Sequence, residues 1–161
     1  MEALSLYVVF SALHLIGLVF GLGGVTATDM ISAYGMHFKP DMLPKAVGVF
    51  KIISFMIWVG LFLLVASGIG LWITSSDIYG GNLSTWAFYL KLALAGAATL
   101  NGLFLNLVVT PAFENSVKLA DFLHTKEYRK AMILGFISGG ISFVSWWGAF
   151  ILGIYVFRML G

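Results

Sequence analysis

Two ionisable side chains lie inside stretches that otherwise carry none. His14 sits in "SALHLIGLVFGLGG" (11–24) and Lys91 in "LKLALAGAATLNG" (90–102). A neutral imidazole can ligate a metal, give up a proton or take one, and a lysine amine can pair an anion or move a proton. At helical spacing His14 shares a face with Gly17, Gly21, Gly24 or Val25, and Thr28. Two readings of that face are open. Small residues let helix backbones approach closely, with His14 as an interhelical hydrogen-bond donor. Alternatively, the glycines clear room beside an imidazole ligand for a flat macrocycle such as haem. Lys91 has two readings as well. Its stem can snorkel to the headgroups, or it faces inward on a stripe of Ala95, Ala98 and Gly102 and meets whatever His14 holds.

Other residues extend this constellation. Asn101 carries an amide that needs a partner at its depth, and Trp58 and Trp146 lie near mid-span, where they wall a cofactor or fill volume. Asn106, Thr28, Asp29 and the serines at 54, 67, 138, 142 and 145 add polar groups. Serines of this kind commonly bond to their own helix backbone. A separate group, Met30, Met36, His37 and Met42, offers soft thioether and imidazole ligands of the type that suits Cu(I).

Several chemistries are excluded. With no cysteine in the chain there are no disulfides, thiolate metal sites or iron–sulfur clusters. Paired intramembrane carboxylates, phosphate-cradling loops, nucleophile elbows and HExxH zinc patterns are missing too.

The elements that must position these residues follow from composition. The 161 residues are 60% hydrophobic and 10% charged, with a mean hydropathy of +1.00, which no ordinary water-soluble surface allows. Charges are absent from residues 3–28, 52–76, 92–113 and 131–157. Each window exceeds the roughly 20 apolar residues that span a bilayer core. The expectation is a single all-α transmembrane domain over 1–161, a four-helix bundle with helices at about 4–28, 46–74, 84–110 and 129–159. Glu2 replaces the positive segment a signal peptide would need, so the first helix is expected to stay in the mature chain. Pro40 and Pro44 mark the first loop, and Pro111 is expected to end the third helix. Residues 112–130, with Phe113, Val117, Leu119, Ala120 and Phe122 apolar, read as a short interfacial helix.

Orientation comes from the cations. Lys39, Lys45 and Lys51 lie around the first loop, and Lys118, Lys126, Arg129 and Lys130 around the third, against Arg158 alone at the other end. That bias predicts loops 29–45 and 111–128 on the cytoplasmic side and both termini outside, in a cell inner membrane. The same cations face anionic lipid as their natural partner, and nucleic acid is not expected. Trp72 and Trp86 flank the outer loop, which otherwise holds only Asp77 as a charge. A faint echo pairs "LHL" (13–15) with "LKL" (90–92) and "SGIGLWI" (67–73) with "SWWGAFI" (145–151). A duplicated two-helix unit of that kind would set His14 and Lys91 at equivalent positions.

"LHLIGLVFGLGG" followed by "LKLALAGAATLNGLFLNLVV" resembles the copper-resistance D family and the HemJ-type protoporphyrinogen oxidases. Both are small helical membrane proteins with a histidine in one helix and a lysine two helices later. The family histidine maps onto His14, its glycine-rich continuation onto Gly21, Leu22, Gly23 and Gly24, and its lysine onto Lys91. Gly21 stands where these families often place tryptophan, and "GVTATDMISAYG" (24–35) replaces the basic continuation of the HemJ type. The resemblance implies a haem b or copper site. The leading expectation is a haem-b-binding membrane redox or electron-transfer protein with His14 as axial ligand. Lys91 would pair a propionate, ligate or move a proton, and Gly17, Gly21, Asn101, Trp58 and Trp146 would lie around the group. With no second histidine in the membrane, a second axial imidazole would have to come from a homodimer. The alternatives are a copper-handling membrane protein and a non-catalytic subunit of a larger membrane complex.

Overall fold

The computed structural model describes residues 2–38, 42–79, 85–116, 118 and 122–160. The chain forms an all-α four-helix bundle. Its elements are α1 (Glu2–Phe38), α2 (Leu43–Tyr79), α3 (Thr85–Phe104), a π-turn (Leu105–Val109), α4 (Thr110–Ser116), a 3₁₀ turn (Phe122–His124) and α5 (Lys126–Leu160). Four stretches are long and apolar enough to cross a membrane: Leu4–Gly35, Lys45–Thr74, Trp86–Ser116 and Lys126–Tyr155.

The helices outrun the apolar windows that announce them. The first does not stop at 28, because a charge such as Asp29 ends a hydrophobic run without breaking a helix. It stops at Phe38, ahead of Lys39 and Pro40. The residue before a proline is pushed out of the helical region. Lys39, Pro40 and Asp41 lie outside the described residues. Pro44 falls in the first turn of α2, where its missing N–H has no helical partner to lose. The fourth span opens at Lys126, three residues before the expected start, because Thr125 caps it. The Tyr128 N–H donates to Thr125 Oγ1 at 3.2 Å and the Arg129 N–H to the Thr125 carbonyl at 3.2 Å.

Pro111 does not end the third span. A proline interior to an α-helix has no N–H to give and its ring strikes the carbonyl four residues back, here Leu107. Leu107 lies in the π-turn, where Thr110 donates to the Leu105 carbonyl five residues back. The wider turn accommodates the ring and the helix continues to Ser116. The expected interfacial helix over 112–130 is therefore replaced. Residues 112–116 extend the third span, and 126–130 begin the fourth. Val117, Leu119 and Ala120 lie outside the described residues, as does the side chain of Phe122.

Packing is antiparallel between neighbours. α1 lies closely along α2, and α3 along α5. Gly17 meets the Gly60 carbonyl, Gly24 meets Ile57, and Gly70 meets the Phe10 ring. Leu94 of α3 lies against Gly148 of α5. Between the two pairs, Ser54 donates to Asn106 Oδ1 at 2.9 Å and the Trp146 indole fills the space over Gly21. The bundle is polar and small inside, with Ser67, Thr74, Asn101, Ser138, Ser142 and Ser145 all buried. It is large and apolar outside: Phe62, Leu107 and Phe136 are each more than 70% exposed. That inversion suits a lipid surround, where burying apolar groups brings no gain and interhelical contact rests on close packing and hydrogen bonds. Trp72 stacks near Phe88 and Trp86 near Tyr155, both with ring centroids 5.7 Å apart, forming an aromatic girdle at one end. At the other end Lys51 pairs with Glu114 at 2.8 Å. The side chains of Asp77 and Arg158 lie outside the described residues.

Candidate functional site

His14 and Lys91 meet. Lys91 does not snorkel to the surface; its Nζ crosses the interior to within 3.4 Å of His14 Nε2 and lies beside Gly153 of α5. α1 and α3 run parallel across the diagonal of the bundle, so residues at matched depths face one another there.

Ser67 fixes the state of the ring. Its Oγ lies 2.9 Å from His14 Nδ1 and donates its one proton to the Leu63 carbonyl at 2.5 Å. The hydroxyl therefore receives the hydrogen bond from Nδ1–H. That leaves the lone pair on Nε2, aimed at the lysine amine. The ring lies against α2 at Gly68, where an added Cβ would stand in ordinary contact, 3.7 Å from His14 Cε1. The result is a chain of four groups: Lys91 amine, His14 imidazole, Ser67 hydroxyl and Leu63 carbonyl.

The remaining candidates fall elsewhere. Gly17 and Gly21 do not clear space beside the imidazole. A Cβ on Gly17 would press on the Gly60 carbonyl at 2.9 Å and Leu63 Cβ at 3.0 Å, and one on Gly21 would collide with the Trp146 ring. Their role is close helix contact. Asn101 is a clamp between α3 and α5. Its Nδ2 donates to the Ser138 carbonyl at 2.8 Å and to Ser142 Oγ at 2.9 Å, and its Oδ1 accepts from Ser138 Oγ at 2.6 Å.

Trp58 and Trp146 line a cavity of about 490 Å³ that neither His14 nor Lys91 reaches. It lies between the α1–α2 and α3–α5 pairs, in the half of the bundle that holds Asp29. Its polar lining includes Asp29, Thr28, Ser54 and Asn106. Thr28 is engaged with the Gly24 carbonyl at 3.0 Å, and Asn106 with Ser54 and with the Gly102 carbonyl at 3.0 Å. Asp29 differs: its Oδ2 is buried and makes no hydrogen bond among the described residues.

The methionine and histidine group at 30–42 does not converge. His37 Nδ1–H donates to the Ala33 carbonyl at 3.1 Å on an exposed face, and Met30 and Met42 are exposed. The Met36 side chain lies outside the described residues. Among those residues no three His, Cys, Asp or Glu side chains gather as a metal site.

Haem on His14 does not fit this arrangement. The lone pair that would bind iron faces Lys91 Nζ at 3.4 Å, whereas a macrocycle would have to lie between them. The cavity of about 490 Å³ is in the other half of the bundle and has no histidine in its described lining. The purified protein is accordingly expected to show no Soret band that depends on His14. A Soret band abolished in His14→Ala would restore the haem reading.

Two partners in this picture carried weak sequence signals. Ser67 was visible only as one hydroxyl among several, yet an antiparallel α1–α2 hairpin aligning Gly17 with Gly60 brings it to His14's depth. Asp29 looked like the end of a helix and is instead inside one. Comparison with protein-family models, curated proteins and solved structures found no match to this chain.

Proposed function

We propose that this is a proton-linked integral membrane protein, in which His14 and Lys91 share one exchangeable proton inside the bilayer. The supporting observation is the 3.4 Å contact between Nζ and an Nε2 whose lone pair Ser67 has fixed. Two positive charges that close would repel by about 5 kcal/mol at an effective dielectric near 20. The pair therefore holds one proton, not two. No carboxylate pairs with Lys91 among the described residues, so the charge that proton brings has no fixed counter-ion there, which favours its exchange with a substrate, an anion or the aqueous phase. Ionisable groups at this depth usually mark such relays. The cation bias supports reading the pair as lying in the outer half of a cell inner membrane, with the basic loops cytoplasmic.

The test is proton uptake by proteoliposomes under a potassium-diffusion potential, followed with a trapped pH dye. Wild type is expected to exceed empty vesicles, and His14→Gln and Lys91→Met to fall to background. Lys91→Arg should fail as well, because a guanidinium does not release its proton. In nitrogen-15 spectra of histidine-labelled protein, His14 should carry its proton on Nδ1, and its Nε2 signal should shift in Lys91→Met. Wild-type uptake equal to that of empty vesicles, or variants matching wild type, overturns the reading.

A further inference from the structure

The cavity between the helix pairs is independent of the His14–Lys91 pair and has its own chemistry. We infer that it is a binding site for a monovalent organic cation with an apolar body. Three observations carry this.

The first is size. At about 490 Å³ the cavity falls within the range of small-molecule sites. The second is charge. Asp29 is the one ionisable side chain among its described lining residues, and Oδ2 is buried with no hydrogen-bond partner among the described residues. Oδ1 lies against Gly139, where an added Cβ would stand 3.2 Å away and crowd the carboxylate. A buried carboxylate left unpaired is costly, and a ligand bearing positive charge offsets that cost. The third is the wall. Trp58, Trp146 and Phe50 line the space, and aromatic faces attract cations through their quadrupole.

The same lining argues against other ligands. A hard metal ion needs six or more oxygens. The described lining offers a single carboxylate, Asp29, to balance a divalent charge. A neutral lipid chain would fill the volume and leave Asp29 uncompensated. An anion would meet one negative charge and no described cation in the lining.

The experiment uses the full chain in lipid nanodiscs and two probes of one shape and opposite charge, tetraphenylphosphonium and tetraphenylborate. Binding is followed by tryptophan fluorescence and equilibrium dialysis. Tetraphenylphosphonium is expected to saturate a single site, and tetraphenylborate only to partition into lipid. Asp29→Asn, which keeps the shape and removes the charge, should weaken the cation at least tenfold. If that variant is unstable, Asp29→Ser serves in its place, with thermal melts to confirm folding. His14→Gln should bind the cation as wild type does, which separates this site from the proton-holding pair. Equal affinity in the Asp29 variants, saturable tetraphenylborate binding, or no saturable cation binding each overturns the inference.

Discussion

Gly60→Val is expected to separate α1 from α2 and to give a larger loss of thermal stability than the same substitution at the other glycines whose surroundings are described. A Cβ at Gly60 would collide with the Gly21 backbone nitrogen and stand 2.7 Å from the Gly17 carbonyl oxygen and 2.9 Å from Gly21 Cα. All three are backbone atoms, so no rotamer change relieves the contact and the helices must move apart. Overpacking a tight contact typically costs about 1–3 kcal/mol, and a branched side chain pressed on backbone lies at or above the upper end. The disturbance spreads, because Gly21 also carries the Trp146 ring of α5. Gly60→Ala should give a smaller loss of the same sign. The controls are Gly48→Ala, Gly96→Ala and Gly140→Ala, where an added Cβ meets nothing within 4 Å. These should be neutral or gain up to about 1 kcal/mol from helix propensity. Melts in detergent, followed by tryptophan emission, give the comparison. A Gly60→Ala protein melting with wild type would mean that the two backbones are not in contact.

Asn101→Leu is expected to weaken the α3–α5 pair by about 2 kcal/mol. One amide makes three hydrogen bonds to α5, two through Nδ2 and one through Oδ1. Measured interhelical bonds in lipid average about 0.6 kcal/mol and reach about 1.7. Three of them, buried at Asn101, Ser138 and Ser142, give the stated total. The orphaned serine hydroxyls can turn back to their own helix carbonyls, which keeps the loss from growing larger. The check is a cycle with Ser138→Ala. Removing both partners should cost less than the two single losses together. Additive losses would mean that Asn101 and Ser138 act separately.

The sequence made some of this legible and hid the rest for physical reasons. The number of spans was plain, because a run of some 25 uncharged residues has few other uses. Helix ends were not, because the end of an apolar window marks where lipid gives way to headgroups, while a helix ends only at a breaker or a cap. Hence α1 passes through Asp29 to Phe38, and Thr125 rather than Arg129 sets the start of α5. The encounter of His14 with Lys91 was open to reading from their matched depths in parallel helices. The purpose of the glycines was not. Composition alone cannot separate room for a ligand from room for a neighbouring helix, and the contacts decide for the helix: backbone and Leu63 of α2 at Gly17, the Trp146 ring of α5 at Gly21. The cavity was hidden for a related reason. Its wall draws on α1, α2, α3, the π-turn, α4 and α5, and every helix here is apolar on nearly all faces, so periodicity does not point inward.

The turn at Leu105–Val109 carries a lesson in counting. It takes up one residue more than an ordinary winding, so every position from Thr110 onward is rotated by about 100° relative to an uninterrupted helix. That offset behaves like a vernier between the two parts of the third span. Above it, Asn101 is keyed to the serines of α5; below it, Phe113 stands with its ring centroid 6.0 Å from that of Tyr128, and Glu114 reaches Lys51. A rigid rod could satisfy only one of those alignments. The surplus residue lets both ends of the rod fit their neighbours, with no loop opened inside the hydrocarbon.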